Sequence, residues 1–369
     1  MKYTLCITQQ CNLRCTYCYI GKKDATMPFF TAGQIIDRLF ATAPQGEKIS
    51  LGFFGGEPLL AYDLLRSIVH MVEEHPSFRK ELVEMTVVSN GTVFSEEIAG
   101  YLRQHDISLC ISCDGPPPVQ DCCRLFADGS GSSAVVERNL RSFAELLPSV
   151  MVNAVFHPRT LAFLPGSVAY FSDLGIRQLY LNPDLSAQWS ESAAERLPGI
   201  YGAVAAQYID NYRAGSPRFI SLIDSKIIAM LRGGFDPLER CRMGTGELAF
   251  APSGNIYPCE RLIGDDSGEH CIGSIGAGID PGRMSCRKAP VPGGNSECRT
   301  CGISDYCMNW CGCSNYFSTG YYDRVGPFLC ASERAAVEAA LGAFRTLEKE
   351  LGPTFVDHLD GRPALGGRR

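Results

Sequence analysis

The sequence of 369 residues contains no long hydrophobic run and no excess of basic residues. No apolar stretch reaches the length of about eighteen residues that a transmembrane helix needs. The net charge of -6 gives no general attraction to nucleic acid or to anionic membranes, so neither is expected as a partner. The first residues, MKYTLCITQQ, lack the apolar core of a secretory signal, which predicts a cytoplasmic location.

Cysteine, by contrast, is abundant, with 18 residues in the chain. Thiols stay reduced in the cytosol, so disulfide bonds are not expected there. The cysteines are therefore predicted to be mainly metal ligands. The hydrophobic fraction of 45% is enough for a sizeable core, and the length suits one large domain and a smaller one.

Short β-rich runs alternate with helical patterns over residues 1–185. This alternation predicts the α/β class, with either a parallel barrel or a doubly wound sheet. The predicted strands are Tyr3–Thr8, Ile49–Phe54, Met85–Val88, Ile107–Ile111, Val150–Phe156 and Gln178–Leu181. The predicted helices are Thr31–Ala43, Leu59–Glu74, Glu96–His105, Ala134–Leu147 and Leu161–Leu174, followed by Ala203–Tyr212, Leu222–Leu231 and Ser332–Glu350.

Polar residues, glycines or cysteines follow five of the six predicted strands. In parallel α/β folds the active site lies at the carboxyl ends of the strands. Turn formation explains any single glycine or asparagine, but not a cysteine triad together with an acidic GGEP segment. The sequence therefore predicts one shared site, built from Cys11–Cys18, Gly55–Pro58, Ser89–Thr92, Ser112–Gly115 and Asn182–Pro183.

The cysteine triad has the spacing C-x3-C-x2-C within CNLRCTYCY and consists of Cys11, Cys15 and Cys18. Thiolates are the usual ligands of four-iron clusters, and four of them complete the ligand set. Three thiolates would leave one iron open to bind a small molecule.

A second set of cysteines lies between Cys241 and Cys330, in a loop-rich segment with little apolar periodicity. Such a segment buries too little to fold on a core of its own, so we expect metal to organise it. The spacing alone suits structural zinc and iron–sulfur clusters equally well. The order is Cys241, Gly254 and Cys259, then Cys298-x2-Cys301-x5-Cys307-x3-Cys311, and finally Cys330.

CNLRCTYCY together with GGEP resembles the radical S-adenosylmethionine (radical SAM) superfamily, and the later cysteines resemble the SPASM domain. The SPASM pattern is C-x9-15-G-x4-C, a gap, C-x2-C-x5-C-x3-C, a gap and C, and the chain meets every element. Anaerobic sulfatase-maturating enzymes and maturases of ribosomally made peptides are similar. The resemblance covers about residues 1–335 and implies a partial (β/α)6 TIM barrel followed by a small cysteine-rich domain.

The resemblance also implies cofactors and a role for each candidate residue. The cofactors are SAM, one [4Fe-4S] cluster that binds it and two auxiliary clusters. The triad would hold the first cluster; Gly55, Gly56 and Glu57 would meet the methionyl amine of SAM, and Ser112 and Arg124 its ribose or carboxylate. Cys298, Cys301, Cys307 and Cys330 would hold one auxiliary cluster, and Cys241, Cys259 and Cys311 the other.

Three positions depart from the sulfatase-maturase pattern. Glu260 replaces a catalytic aspartate, and either a catalytic base or a bystander is compatible with the sequence. Gln120 replaces a histidine. Glu247 stands about where those enzymes have an additional cysteine, which leaves the fourth ligand of the Cys241 cluster open, or supplied by Cys271, Cys286 or Cys313.

The predicted organisation is a radical SAM barrel at 1–215, a linking helix at 216–240, a SPASM domain at 241–335, and a C-terminal helix and loose tail at 336–369. The predicted function is reductive SAM cleavage followed by hydrogen abstraction from a peptide or protein side chain, as in thioether or other cross-link formation. The alternatives are a sulfatase maturase that makes formylglycine, and, in another class, a non-catalytic metal-binding electron carrier.

The expected partners are a peptide or protein substrate and an external electron donor such as flavodoxin or ferredoxin. The triad begins at Cys11, so no leader-binding domain is expected ahead of the barrel. A peptide substrate would then need a separate leader-peptide recognition protein, or would be gripped directly by the two domains.

Overall fold

The computed structural model describes residues 1–44, 46–236, 240–285, 298–308 and 310–359. Alternating strands and helices fill it, which confirms the predicted α/β class. The strands are β1 (Lys2–Thr8), β2 (Ile49–Gly55), β3 (Val83–Ser89), β4 (Ser108–Ser112), β5 (Met151–Phe156), β6 (Gln178–Pro183), β7 (Phe219–Ile220), β8 (Glu247–Phe250), β9 (Asn255–Tyr257), β10 (Gly273–Ser274) and β11 (Gly278–Ile279). The helices are α1 (Phe29–Thr42), α2 (Tyr62–Glu74), α3 (Glu96–Gln104), α4 (Pro117–Cys123), α5 (Ser133–Leu146), α6 (Leu164–Asp173), α7 (Glu191–Arg213), α8 (Ser221–Leu231), α9 (Pro281–Ser285), α10 (Gly312–Thr319), α11 (Pro327–Leu351) and α12 (Pro353–Leu359).

The chain forms two compact units, each built from separate stretches of sequence. The first unit contains Met1–Ser112, Cys123–Pro148 and Arg242–Lys288. The second unit contains Cys113–Cys122, Ser149–Cys241 and Ala289–Arg369. All six predicted strands are present, and each predicted helix overlaps an observed one, although α7 begins at Glu191, well before the predicted Ala203.

The first unit is built on a sheet with the strand order β11-β10-β9-β8-β1-β2-β3-β4. Strands β8, β1, β2, β3 and β4 run parallel to one another, whereas β9 pairs with β8 in the antiparallel direction. In β1 the side chains of Tyr3, Leu5, Cys6 and Ile7 are all fully buried, so both faces of this strand are covered. Burial of both faces is typical of parallel strands in α/β folds.

Strands β8 to β11 were not predicted, and they show how part of the cysteine-rich segment folds. β8 pairs with the edge of β1, and Leu248, Ala249 and Phe250 are buried as a result. This part of the chain therefore does not need a core of its own, because it extends the sheet of the first unit. The strands are only two to four residues long, too short for an alternating pattern to be recognised in the sequence.

The second unit contains the parallel strands β5, β6 and β7 and the long helices α7 and α11. Helix α11 packs on α7, where the Tyr201 and Ser332 hydroxyls lie 2.8 Å apart. The tail was predicted to be loose from Gly352, but α12 follows α11 directly and buries Phe355 against Tyr212, with ring centroids 5.0 Å apart. One buried aromatic residue in a seven-residue helix is too weak a signal to find from sequence.

Within the described residues, no helix is both long and apolar enough to cross a membrane.

Candidate functional site

The cysteine triad lies in the loop after β1, at the carboxyl end of that strand. Cys11 and Cys15 are partly exposed and Cys18 is exposed. The backbone N–H of Leu13 donates to Cys11 Sγ at 3.4 Å, and Asn90 Nδ2 approaches the same sulfur at 3.6 Å. The three thiols are therefore accessible on one loop, and Asn90 at the end of β3 contacts one of them.

A second segment of the chain supports the triad loop along its length. Backbone hydrogen bonds join Thr16 to Cys123 (2.9 Å) and Arg14 to Leu125 (2.7 Å). They place Arg124 beside the loop, with its guanidinium carbon 5.2 Å from the centre of the Tyr17 ring. Arg124 was predicted to contact SAM, and the structure brings it next to the triad. The backbone pairing itself leaves no signal in the sequence.

The GGEP segment lies directly against the start of the triad loop. The N–H of Gly56 donates to Thr8 O at 2.7 Å, and the N–H of Glu57 donates to Gln10 O at 2.8 Å. A Cβ atom at Gly55 would lie 2.1 Å from Thr8 O, and one at Gly56 would lie 2.0 Å from Gln10 O. Gly55 also has φ of 146°, in the region that favours glycine. Both glycines are needed for this close approach.

The Glu57 side chain is completely buried and points into the first unit. Its Oε1 accepts from the N–H of Leu59 (3.0 Å) and from Ser89 Oγ (2.9 Å), and its Oε2 accepts from the N–H of Asn90 (2.6 Å). Burial raises the pKa of this carboxyl to about 7, although the hydrogen bonds oppose the shift. The carboxylate thus connects the ends of β2 and β3.

Lys22 is a charged neighbour of the triad that was not predicted from the sequence. Its side chain hydrogen-bonds Cys18. Burial works to lower the pKa of Lys22, but the thiols of Cys18, Cys11 and Cys15 outweigh it and raise that pKa. The position of this lysine, four residues after Cys18, is the only sequence signal that could have pointed to it.

Ser112 and Gln120 occupy different units. Ser112 is the last residue of β4 in the first unit and is half-buried. Gln120 belongs to the second unit, where it is fully buried and its Oε1 accepts from the N–H of Asp114 at 2.9 Å. Gln120 therefore stabilises the turn after β4.

In the second unit, several predicted ligands lie on short turns and on the first turn of α11. Cys298 begins a 3-10 turn that the N–H of Cys301 closes onto Cys298 O at 3.2 Å. Arg334 of α11 approaches Cys301 Sγ at 3.7 Å. Cys311 Sγ lies 3.6 Å from Cys313 Sγ.

A buried ion pair holds the cysteine-rich turns on the helices of the second unit. Lys226 on α8 and Glu333 on α11 are 2% and 8% exposed, and their charged atoms lie 2.6 Å apart. Lys226 Nζ also donates to Tyr306 O (3.0 Å), and Glu333 Oε2 accepts from the N–H of Met308 (2.7 Å). Cys307 lies between these two anchored residues, and Cys330 precedes Glu333 by one helical turn.

The remaining predicted ligands are divided between the units. Cys259 is buried in the first unit, whereas Cys241 and Cys311 belong to the second. Cys271 is buried in an apolar cluster with Cys6, and its thiol donates to Gly273 O at 2.9 Å. Cys286, another possible fourth ligand, lies outside the described residues.

Glu260 follows Cys259 and is held by Lys2. Lys2 Nζ lies 2.6 Å from Glu247 Oε1 and 3.6 Å from Glu260 Oε1. Burial works to raise the pKa of the Glu260 carboxyl, but the Lys2 ammonium outweighs it and lowers that pKa to about 2. Glu260 is therefore an ionised partner of Lys2 at neutral pH.

The chemistry of these donor sets fits iron–sulfur clusters. Thiolate sulfur is the ligand that such clusters prefer, and the triad loop presents three accessible thiols beside a glycine cradle.

Comparisons with known proteins agree with this chemistry. The profile of the Radical SAM superfamily matches residues 5–161. The chain is similar to a cysteine-type anaerobic sulfatase-maturating enzyme of Clostridium novyi, with 25% identity over 73% of this chain and 74% of that protein. It is also similar to the radical SAM cyclopropyl synthase TigE of Paramaledivibacter caminithermalis, with 22% identity over 70% of this chain and 57% of that protein.

Among solved structures, the fold is similar to that of anSMEcpe with bound AdoMet and the Cp18Cys peptide. The TM-score is 0.77 at 17% sequence identity, over 95% of this chain and all of that chain (100%). The radical SAM family implies a [4Fe-4S] cluster and SAM as cofactors. With residues 5–161 matching this family and maturating enzymes among its relatives, the chain is an enzyme that contains a radical SAM domain.

Proposed function

We propose that this enzyme modifies a side chain of a peptide or protein by abstracting a hydrogen atom from carbon, as in the formation of a thioether or another cross-link. The observation that carries the proposal is the junction of the triad loop with the GGEP segment. Three accessible thiols meet a backbone cradle that only glycine can form, as the distances of 2.1 and 2.0 Å to the added Cβ atoms demand.

The chain's own residues have distinct tasks in this proposal. Cys11, Cys15 and Cys18 would hold the cluster, and the backbone of Gly55 and Gly56 would meet the methionyl amine of SAM. Glu57 keeps this backbone in position through its bonds to Ser89 and Asn90. When bound, the cluster and SAM supply the 5′-deoxyadenosyl radical, and the protein orients the target carbon and excludes water.

Arg124 and Ser112 are proposed to contact the ribose or the carboxylate of SAM. The position of Arg124 supports this role, because the backbone hydrogen bonds of its neighbours and the Tyr17 ring fix it beside the triad loop. A guanidinium is well suited to a carboxylate because it donates two parallel hydrogen bonds. Ser112 ends the strand next to β3, which carries Ser89 and Asn90 at its own end.

Two auxiliary clusters belong to the same proposal, with Cys298, Cys301, Cys307 and Cys330 holding one and Cys241, Cys259 and Cys311 contributing to the other. The Lys226–Glu333 pair supports the first group, because it fixes the residues on both sides of Cys307 to the helix that carries Cys330. Clusters held there would supply electron transfer. An external donor such as flavodoxin or ferredoxin would supply the electron that starts the reaction, and the reduced cytosol would be the site of action.

The substrate class rests on the relatives, since both a sulfatase-maturating enzyme and a cyclopropyl synthase are similar to the chain. Formylglycine formation remains the second candidate, and the first of these relatives favours it. An electron carrier would need no glycine cradle beside its thiols, so the geometry favours catalysis. A separate leader-peptide recognition protein is a further possible partner.

The test of the proposal is anaerobic reconstitution followed by assays of SAM cleavage. The full chain should bind SAM and release 5′-deoxyadenosine when reduced with dithionite. Replacement of Cys11, Cys15 and Cys18 with alanine should remove one cluster and abolish this release, while the iron at the other cysteines remains. Undiminished 5′-deoxyadenosine from the triple variant, or zinc instead of iron at the remaining cysteines, would contradict the proposal.

A further inference from the structure

Glu247 and Cys259 lie side by side in the sheet of the first unit. The antiparallel register of β8 and β9 pairs Ala249 with Tyr257, so its continuation by two residues places Glu247 opposite Cys259. Directly paired residues present their side chains on the same face of a sheet, with Cβ atoms about 5 Å apart. Glu247 and Cys259 are 8% and 3% exposed, which makes this a buried position.

The side chains around this position include three groups that can bind a metal ion. The ligand atoms of Glu247, Cys259 and Glu260 all lie within 4.8 Å of one another. Cys259 Sγ contacts Glu260 Oε2 at 3.6 Å. The ammonium of Lys2 faces both carboxylates, at 2.6 and 3.6 Å. Two carboxyl groups and a thiol, which are all groups that bind metal ions, thus lie together beside one ammonium.

We propose that Glu247 supplies a carboxylate ligand to the auxiliary iron–sulfur cluster that Cys259 helps to hold. The inference rests on the proposed function, because it assumes that Cys259 holds a cluster at all. Carboxylate oxygen is an established ligand of iron in proteins, although it is harder than thiolate.

The neighbours of Cys259 are less suitable as the additional ligand. The Cys271 thiol is directed to Gly273 O within an apolar cluster. Glu260 follows Cys259 in an extended backbone, where φ is -159° and ψ is 147° at Cys259. Glu260 itself begins a 3-10 turn, so its position depends on that turn, whereas the sheet register fixes Glu247 opposite Cys259.

The experiment uses the full chain with Cys11, Cys15 and Cys18 replaced by alanine, so that only auxiliary clusters contribute. Iron and sulfide content and the EPR spectrum are measured after anaerobic reconstitution. Glu247→Gln should lose iron and give the signal of an incomplete cluster when oxidised. Glu247→Cys should keep the full iron content with a shifted reduction potential, because a thiolate replaces the carboxylate. Lys2→Met is the matched control: it breaks the ion pair but removes no ligand, and it should keep the iron.

Three results would overturn the assignment. Glu247→Gln could keep both its iron and an unchanged spectrum, Lys2→Met could lose the same iron as Glu247→Gln, or Glu247→Cys could leave the potential unchanged. The proposed function fails in a different way. If Cys259→Ala loses no iron, then Cys259 holds no cluster, whatever Glu247 does. If Cys259→Ala and Cys313→Ala both lose iron while Glu247→Gln keeps it, the fourth ligand is Cys313.

Discussion

The Glu57 carboxylate accepts a hydrogen bond of 2.6 Å from the backbone N–H of Asn90, and this contact joins the ends of two neighbouring parallel strands. Asn90 in turn reaches Cys11 Sγ and Asn12 Oδ1 with its side-chain amide. The buried Glu57 carboxylate therefore holds Asn90 in place at the end of β3, and Asn90 contacts the triad loop.

Glu57→Gln should weaken both SAM binding and the fold. The amide would present an NH2 group to backbone N–H donors, and the loss of a satisfied buried acceptor costs about 1–3 kcal/mol. We expect a lower denaturant midpoint and weaker SAM binding in anaerobic titrations. Glu84→Gln is the control, since Glu84 forms an ion pair with Lys48 on the surface of the same unit. Equal midpoints for both variants would show that the buried carboxylate is not structural.

Stability should also depend on pH through Glu57. Its pKa in the folded protein is raised from 4.5 to about 7, because the site is buried. The folded state therefore binds the proton more tightly than the unfolded state, and this contribution is fully present below pH 4.5 and is lost as the pH rises through 7. Between pH 5.5 and 8 the denaturant midpoint should fall more steeply for the native protein than for Glu57→Gln. Parallel curves would contradict the assignment.

Lys22 should influence the reduction potential of the triad cluster. A positive charge beside a cluster stabilises its reduced state, so Lys22→Met should lower the potential. We expect a shift on the order of 60 mV, which is about 1.4 kcal/mol for a one-electron couple. Lys22→Arg should restore most of it. The control is Lys23→Met, because Lys23 is exposed and binds Asp265 O instead. Redox titration followed by EPR measures the potentials, and equal shifts in the two methionine variants would remove Lys22 from this role.

The sequence was informative where chemistry and repetition coincide. Six strands with their helices follow from apolar periodicity, and the contact between the triad loop and GGEP follows from the position of both segments at strand ends. Three features could not be predicted: Lys22, the support of the triad loop by Cys123–Ala127, and the Lys226–Glu333 pair. Each of them depends on contacts between residues that are distant in sequence or on a single charged residue, and neither leaves a periodic pattern. Strands β8 to β11 were not predicted because they are short and depend on pairing with other strands, β8 with β1 and β9 with β8.

Lys226 and Glu333 should be essential for the stability of the second unit. Removal of one partner leaves a buried charge uncompensated, which typically costs about 3–5 kcal/mol. We expect Glu333→Gln to lower the denaturant midpoint strongly. It should also reduce the iron held at the proposed cluster site of Cys298, Cys301, Cys307 and Cys330. The exposed pair Arg213–Glu350 joins α7 to α11 in the same unit and is the matched control. Glu350→Gln should cost at most about 1 kcal/mol. Similar losses in both variants would mean that the Lys226–Glu333 pair contributes no more than a surface contact.

Glu260 should be dispensable as a base. The Lys2 ammonium lowers the pKa of its carboxyl to about 2, against the effect of burial, and a carboxylate held in this way is a weak proton acceptor near neutral pH. Glu260→Gln should therefore still release 5′-deoxyadenosine and still form product once the peptide substrate is known. Lys2→Met provides the comparison, because it removes the ion pair and leaves the carboxylate in place. If Glu260→Gln makes 5′-deoxyadenosine but no product, whereas Lys2→Met makes both, Glu260 is a base after all, and formylglycine formation becomes the better assignment. Retained product would instead favour cross-link formation, in which no base is needed at this position.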